Sequence, residues 1–186
     1  MEVTKAKKRF SVLDMTLCAL FAALMAVCAW ISIPTPWDVS FTMQTFAIFA
    51  AFGLLGGKRG TIALAVYLVL GAVGLPVFSN FRGGVGVLLG TTGGYIMGFV
   101  LSALAYWLLT AWLGEKFWVQ LLAMVLGCVL CYGVGTAWYM AVYIQTKGAV
   151  ALGTVLGWCV VPYLIPDAVK IALALGVTKS LKRFVP

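Results

Sequence analysis

Apolar residues in this chain come in long unbroken stretches, not in alternation. The stretches 19–33 and 95–113 contain no charged side chain. A membrane-spanning strand would alternate over about ten residues, and a buried strand would end after roughly four to eight. These runs therefore predict helices. A helix crossing the hydrocarbon core needs about 20 apolar residues, with roughly 17 to 25 tolerated. On that measure the spans fall at 13–33, 39–56, 60–75, 92–113, 117–144 and 162–181. The second and third are short, and the turn between them, Gly57-Lys58-Arg59-Gly60, carries two charges that must reach water. A hairpin ending at mid-membrane would leave those charges in oil at several kcal/mol each, so two full crossings are expected. The segment 148–165 reads as a connector into the last span. The expected fold is an all-α integral membrane protein, a single domain over residues 1–186 with six transmembrane helices and neither linker nor internal repeat.

Composition agrees with a lipid environment. The chain is 63% hydrophobic and 10% charged, with a mean hydropathy of +1.08. A water-soluble domain of this size would be left with large apolar patches outside its single core. The net charge of +8 is distributed unevenly. Lys5, Lys7, Lys8 and Arg9 precede the first span, Lys58 and Arg59 sit in the second turn, Lys116 in the fourth, and Lys179, Lys182 and Arg183 end the chain. The opposite loops hold only Arg82 and Lys147, and Lys170 lies within the last span, which accounts for all 13 basic residues. Basic residues gather on the cytoplasmic side of a polytopic protein, so both termini are expected inside. The partner of this charge is the bilayer surface, not nucleic acid. The N-terminal apolar run is longer than a signal-peptide core and lacks a small-x-small cleavage site, so it reads as a retained helix.

Few residues are available for chemistry. Histidine is absent, and the carboxylates are Glu2, Asp14, Asp38, Glu115 and Asp167. That leaves almost no acid–base pair or nucleophile–base arrangement, and the chain is not expected to be an enzyme. Cys128 and Cys131 have CxxC spacing, but within an apolar run and without His they read as buried small hydrophobes, and no metal or cofactor is expected. Asp167 follows Pro166, a residue suited to a first helical turn, where the helix N-terminus would favour its charge. Lys170, three residues on, projects from nearly the same face. An ionisable pair within a span marks a functional interior or a buried pair that orients its helix. Gln44 and the run Thr91-Thr92-Gly93-Gly94-Tyr95 add uncharged polar groups at the outer ends of two further spans. The loops 32–40 and 76–90, the latter with Asn80, Arg82, Gly83, Gly84 and Gly86, are either ordinary turns or the lid and wall of an outward-facing pocket. On the first span Ala19, Ala22, Ala23 and Ala26 form overlapping small-xxx-small pairs, able to take a partner helix or to pack internally.

Nothing in the chain can drive transport. Gly56-Gly57-Lys58-Arg59 lacks the Ser/Thr and the first loop glycine of a nucleotide-binding P-loop, and after Gly84 and Gly86 the third dinucleotide-fingerprint position is Leu89. Four segments then carry a resemblance: Asp38-Val39-Ser40-Phe41-Thr42-Met43-Gln44-Thr45, Gly71-Ala72-Val73-Gly74-Leu75-Pro76-Val77-Phe78, Gly90-Thr91-Thr92-Gly93-Gly94-Tyr95 and Pro166-Asp167-Ala168-Val169-Lys170. Together they resemble the biotin-specific substrate-capture subunits, the BioY family of S components, of energy-coupling factor (ECF) transporters. Thr91 stands where that family usually has proline. The resemblance implies six helices and an outward-facing biotin pocket, with Asn80, Asp167 and Lys170 at positions that hold the bicyclic head. It brings Gln44, Arg82, Gly84, Thr92 and Tyr95 to the same site. It also implies a transmembrane scaffold subunit and two cytoplasmic ATPases, docked through Ala19, Ala22, Ala23 and Ala26. Capture of another small vitamin, an accessory membrane subunit and a small membrane enzyme are the competing readings.

Overall fold

The computed structural model describes residues 10–37 and 39–184. Asp38 and the basic residues Lys5, Lys7, Lys8 and Arg9 lie outside them. The first helix, α1 (Val12–Trp30), starts with a capping box in which Ser11 and Asp14 satisfy each other's backbone N–H groups. Asp14 also meets Arg59 at 2.8 Å, so the start of α1 is tied to the turn between the second and third apolar runs.

Past α1 the chain extends. Ser32–Ile33 (β1) pairs antiparallel with Phe41–Thr42 (β2), and Met43 N–H donates to the Ile31 carbonyl at 3.1 Å. The helix expected from residue 39 therefore begins only at Gln44, because residues 41–43 spend their backbone bonds across this small hairpin.

Helix α2 (Gln44–Ala72) is two arms, 44–55 and 57–72, broken at Gly56 (φ 78°, ψ 170°), a conformation open mainly to glycine. The arms fold back on each other. Gln44 Nε2 donates to the Tyr67 hydroxyl at 3.0 Å although 23 residues separate them; a continuous helix would hold them about 35 Å apart at 1.5 Å per residue. A Cβ on Gly60 would lie 2.8 Å from the Phe52 ring, so the turn closes tightly only with glycine there.

After α2 come a 3₁₀ turn (Ser79–Phe81), a short helix α3 (Val85–Leu89), then α4 (Gly93–Leu113) and α5 (Phe117–Lys147). The last two pack through small residues. A Cβ on Gly98 would come 2.8 Å from Cys131 Cα, and one on Gly94 would come 2.2 Å from Trp138 Cβ. Ser102 Oγ crosses the same seam to the Gly127 carbonyl at 2.6 Å. Backbones this close gain dispersion contacts that lipid cannot supply.

The connector 148–165 contains its own helix, α6 (Leu152–Cys159), followed by α7 (Val161–Leu181). Here the structure corrects a sequence-based expectation. Pro162, not Pro166, occupies the first turn of α7, and Pro166 lies inside the helix. Asp167 is six residues in, about 9 Å from the helix start. The dipole effect is confined to the first turn, so other groups must hold this charge.

Among the described residues, five helical stretches are long and apolar enough to cross a membrane: Val12–Trp30, Gln44–Ala72, Gly93–Leu113, Phe117–Lys147 and Leu152–Phe184. The folded-back α2 lies within the second. The core runs between α1, α2, α4 and α7 around Met25, Phe52, Tyr67 and Tyr106, while leucines and tryptophans such as Leu20, Leu104, Trp112 and Trp118 point outward.

Candidate functional site

At the end of the bundle away from the Gly56 turn, α2, α4, α5 and α7 enclose a cavity of about 90 Å³. Its wall is mainly apolar, with Phe49, Ile96 and Phe99 among the lining residues, and its charged groups, Asp167 and Lys170, both stand on α7. Asp167 and Lys170 are almost fully buried, at 7% and 4% exposure. Lys170 Nζ donates to Asp167 Oδ1 at 2.7 Å. Asp167 Oδ2 accepts from the Tyr132 hydroxyl of α5. Lys170 Nζ also lies 4.4 Å from the centre of the Phe41 ring, a cation–π contact that favours the ammonium away from water. Phe41 in turn stacks on Tyr163 at 5.8 Å. The i,i+3 spacing on α7 brings carboxylate and ammonium together, and only the fold brings in Tyr132. The cluster sums to no net charge and offers both donors and acceptors.

Around it, Gln44, Thr92 and Tyr95 also line the cavity. Gln44 is fixed through Tyr67, whose hydroxyl donates to the Val77 carbonyl at 3.1 Å. The Tyr95 hydroxyl meets Thr136 Oγ1 at 3.3 Å, and its ring occupies the space where a Gly135 Cβ would stand. Cys128, Cys131 and Cys159 line the wall as free thiols. The β1–β2 loop forms a roof. Trp37 stacks on Trp158 of α6 at 6.3 Å, Tyr139 donates to the Trp37 carbonyl at 3.0 Å, and Tyr163 donates to the Val39 carbonyl.

Asn80 and Arg82 line a second, more open hollow of about 290 Å³ with Pro34, Thr35 and Ser40. Asn80 accepts from Ser32 Oγ at 3.0 Å and donates to Ser40 Oγ at 2.9 Å, joining the two outer loops. Gly84 lines neither space. With φ at 92° it precedes α3, and its N–H donates to the Gly71 carbonyl at 2.7 Å.

A buried acid–lysine–tyrosine cluster under a roofed cavity, in a helical bundle with an apolar exterior, has clear relatives. The model of the BioY family matches residues 4–186. The chain belongs to the BioY family. It is 41% identical over 165 residues to the biotin transporter BioY of Thermotoga maritima, covering 88% of this chain and 92% of that protein. It is 36% identical over 169 residues to the probable biotin transporter BioY of Pyrococcus horikoshii, covering 91% and 96%. Its fold matches a crystal structure, at 2.1 Å, of the S-component for biotin from an ECF-type ABC transporter. The TM-score is 0.79 and the identity 26%, covering 91% of this chain and 90% of that one.

Within this BioY-family bundle the alanine stripe of α1 divides. Ala22 and Ala26 are packed into the core, at 2% and 6% exposure, while Ala19 and Ala23 face outward. The face open to a partner is thus narrower than four alanines, because α1 spends one side on α2. Sequence reasoning passed over Tyr132, and gave Phe41 and Ser40 only as part of a motif without a role at the site. Tyr132 had one available signal: a phenol within an apolar span needs a hydrogen-bond partner when buried.

Proposed function

We propose that this chain is a biotin-capture subunit, the S component of an ECF-type transporter, and that it carries out no reaction on its ligand. One observation carries the reading: the buried, net-neutral cluster of Asp167, Lys170 and Tyr132 lines a mainly apolar cavity. A ureido ring is neutral, planar and bears paired N–H donors beside a carbonyl acceptor. Asp167 keeps unused lone pairs for the N–H groups, and Lys170 keeps protons for the carbonyl. Phe49, Ile96 and Phe99 suit a sulfur-containing ring and an alkyl chain. In this reading Gln44, Thr92 and Tyr95 flank the bicyclic head, Asn80 reaches it from the 76–90 loop, and Arg82 and Gly84 belong to the part of that loop that closes over its tail.

The remaining assignments follow from charge and geometry. The described basic residues Lys58, Arg59, Lys116, Lys179, Lys182 and Arg183 lie at the Gly56 end, and Arg82 and Lys147 at the other. Basic flanks face the cytoplasm, so the cavity opens outward, with both termini inside a prokaryotic cell membrane. The two arms of α2 then count as separate crossings, giving six. The sequence carries no P-loop, and in this reading uptake draws on a transmembrane scaffold and two cytoplasmic ATPases, docked along the outward Ala19–Ala23 edge of α1.

Titration calorimetry of the detergent-purified chain tests the capture role. Saturable binding of one biotin per chain is the expected result. Saturable binding of a different vitamin in place of biotin would reassign the substrate. Binding of no vitamin would favour an accessory subunit.

A further inference from the structure

The cluster at the bottom of the cavity leaves one feature of the ligand unaccounted for. Biotin is a carboxylate at neutral pH, and the Asp167–Lys170 pair has no net charge to offer it. Drawing Lys170 away from Asp167 to meet an anion would strand a buried carboxylate, which is strongly unfavourable. A cation for the charged end of the ligand has therefore to be sought elsewhere. Among the described residues at the outer end, the basic side chains are Arg82 and Lys147. Lys147 lies at the far end of α5, 5.4 Å from the Tyr143 ring, and lines neither space. Arg82 lines the outer hollow, and its terminal guanidinium nitrogens meet no acidic side chain among the described residues.

We infer that the outer hollow is the carboxylate subsite of the cavity, with Arg82 as its cation; the inference rests on the biotin reading above. The two spaces adjoin each other at Ser40. Ser40 lines both, and Ser79, which lines the inner one, has its carbonyl 3.5 Å from Arg82 Nε. The backbone under Arg82 is also held in an unusual form. Asn80 and Phe81 are consecutive non-glycine residues with positive φ, 57° and 55°. Asparagine tolerates that region, but for phenylalanine it is strained. The strain is held by neighbours: Asn80 bonds both Ser32 and Ser40, Phe81 stacks on Trp30 at 5.1 Å, and Phe78 N–H donates to the Arg82 carbonyl at 2.9 Å. Over-determined strain of this kind clusters at ligand clamps. Here it fixes the base from which a planar guanidinium can meet a carboxylate through two parallel bonds.

The test compares biotin with its uncharged primary amide on the wild-type chain, Arg82→Gln and Arg82→Lys, by calorimetry. Wild type should bind biotin about tenfold more tightly than the amide, the scale of one charge-assisted contact. Arg82→Gln should erase that preference by weakening biotin about tenfold, leaving the amide within about twofold. Arg82→Lys should keep part of the preference, since it retains charge but not the fork. A wild-type chain that binds both ligands equally, or an Arg82→Gln chain that weakens both equally, would overturn the subsite while leaving biotin capture intact. A wild-type chain that binds neither would overturn both.

Discussion

Asparagine at position 167 would change one atom's identity and remove one charge, and the structure sets the cost. Asp167 holds two donors at once, Lys170 Nζ at 2.7 Å and the Tyr132 hydroxyl, with both charged groups buried. An amide has one carbonyl oxygen. Whichever donor it keeps, its NH₂ faces the other, and Lys170 is left as an uncompensated buried cation. Breaking a buried pair in this way costs about 3–5 kcal/mol. For a chain of 186 residues that corresponds to roughly 6–20 °C in melting temperature, at about 2–4 °C per kcal/mol. Lys170→Met removes the cation while keeping most of the side-chain volume. The double variant Asp167→Asn/Lys170→Met should therefore recover at least about half of the loss, a coupling well above the ~0.5 kcal/mol seen between independent sites. The assay is thermal unfolding of all four proteins in one detergent without ligand, followed by calorimetry. Biotin affinity of Asp167→Asn should fall at least about tenfold. Melting of the single variant within about 2 °C of wild type, or simple additivity in the double, would refute the reasoning and place Lys170 in contact with water.

The orientation is testable in cells with the five native cysteines replaced. Gly86→Cys, at an exposed position with open space around it, should react with a membrane-impermeant thiol reagent. Ser180→Cys, exposed at the opposite end, should react only in inside-out vesicles, and the reverse pattern would invert the topology. On α1, Ala23→Trp should leave biotin binding intact but abolish ATP-dependent uptake in vesicles holding the scaffold and ATPases, because an indole there holds a partner helix away. Ala22→Trp should instead destabilise the chain itself, since Ala22 is buried against the core; if both variants behave alike, the docking edge is elsewhere.

Much of this molecule is local and therefore legible in its amino-acid order. Long apolar runs must be helical where no water can satisfy a backbone. A glycine-flanked Lys-Arg pair marks where α2 folds back, and three-residue spacing puts Asp167 beside Lys170 before any fold is known. The clustering of basic residues likewise belongs to the order of the chain. What the order leaves open is which face of each helix turns inward. For a soluble helix the polar face answers that question. In lipid the outside is as apolar as the core, so Ala19, Ala22, Ala23 and Ala26 look equivalent until α2 packs against two of them. The same silence hides Tyr132, 35 residues from the carboxylate that it contacts. It also hides the pairing of residues 32–33 with 41–42 that delays α2 until Gln44. Helix α7 starts at Val161, close to the start of the predicted span, so Asp167 lies away from a helix end and its charge is left to Lys170 and, across the fold, Tyr132. Hydrophobicity places a membrane helix along the chain; only contact with its neighbours fixes its rotation and the groups that meet in the cavity.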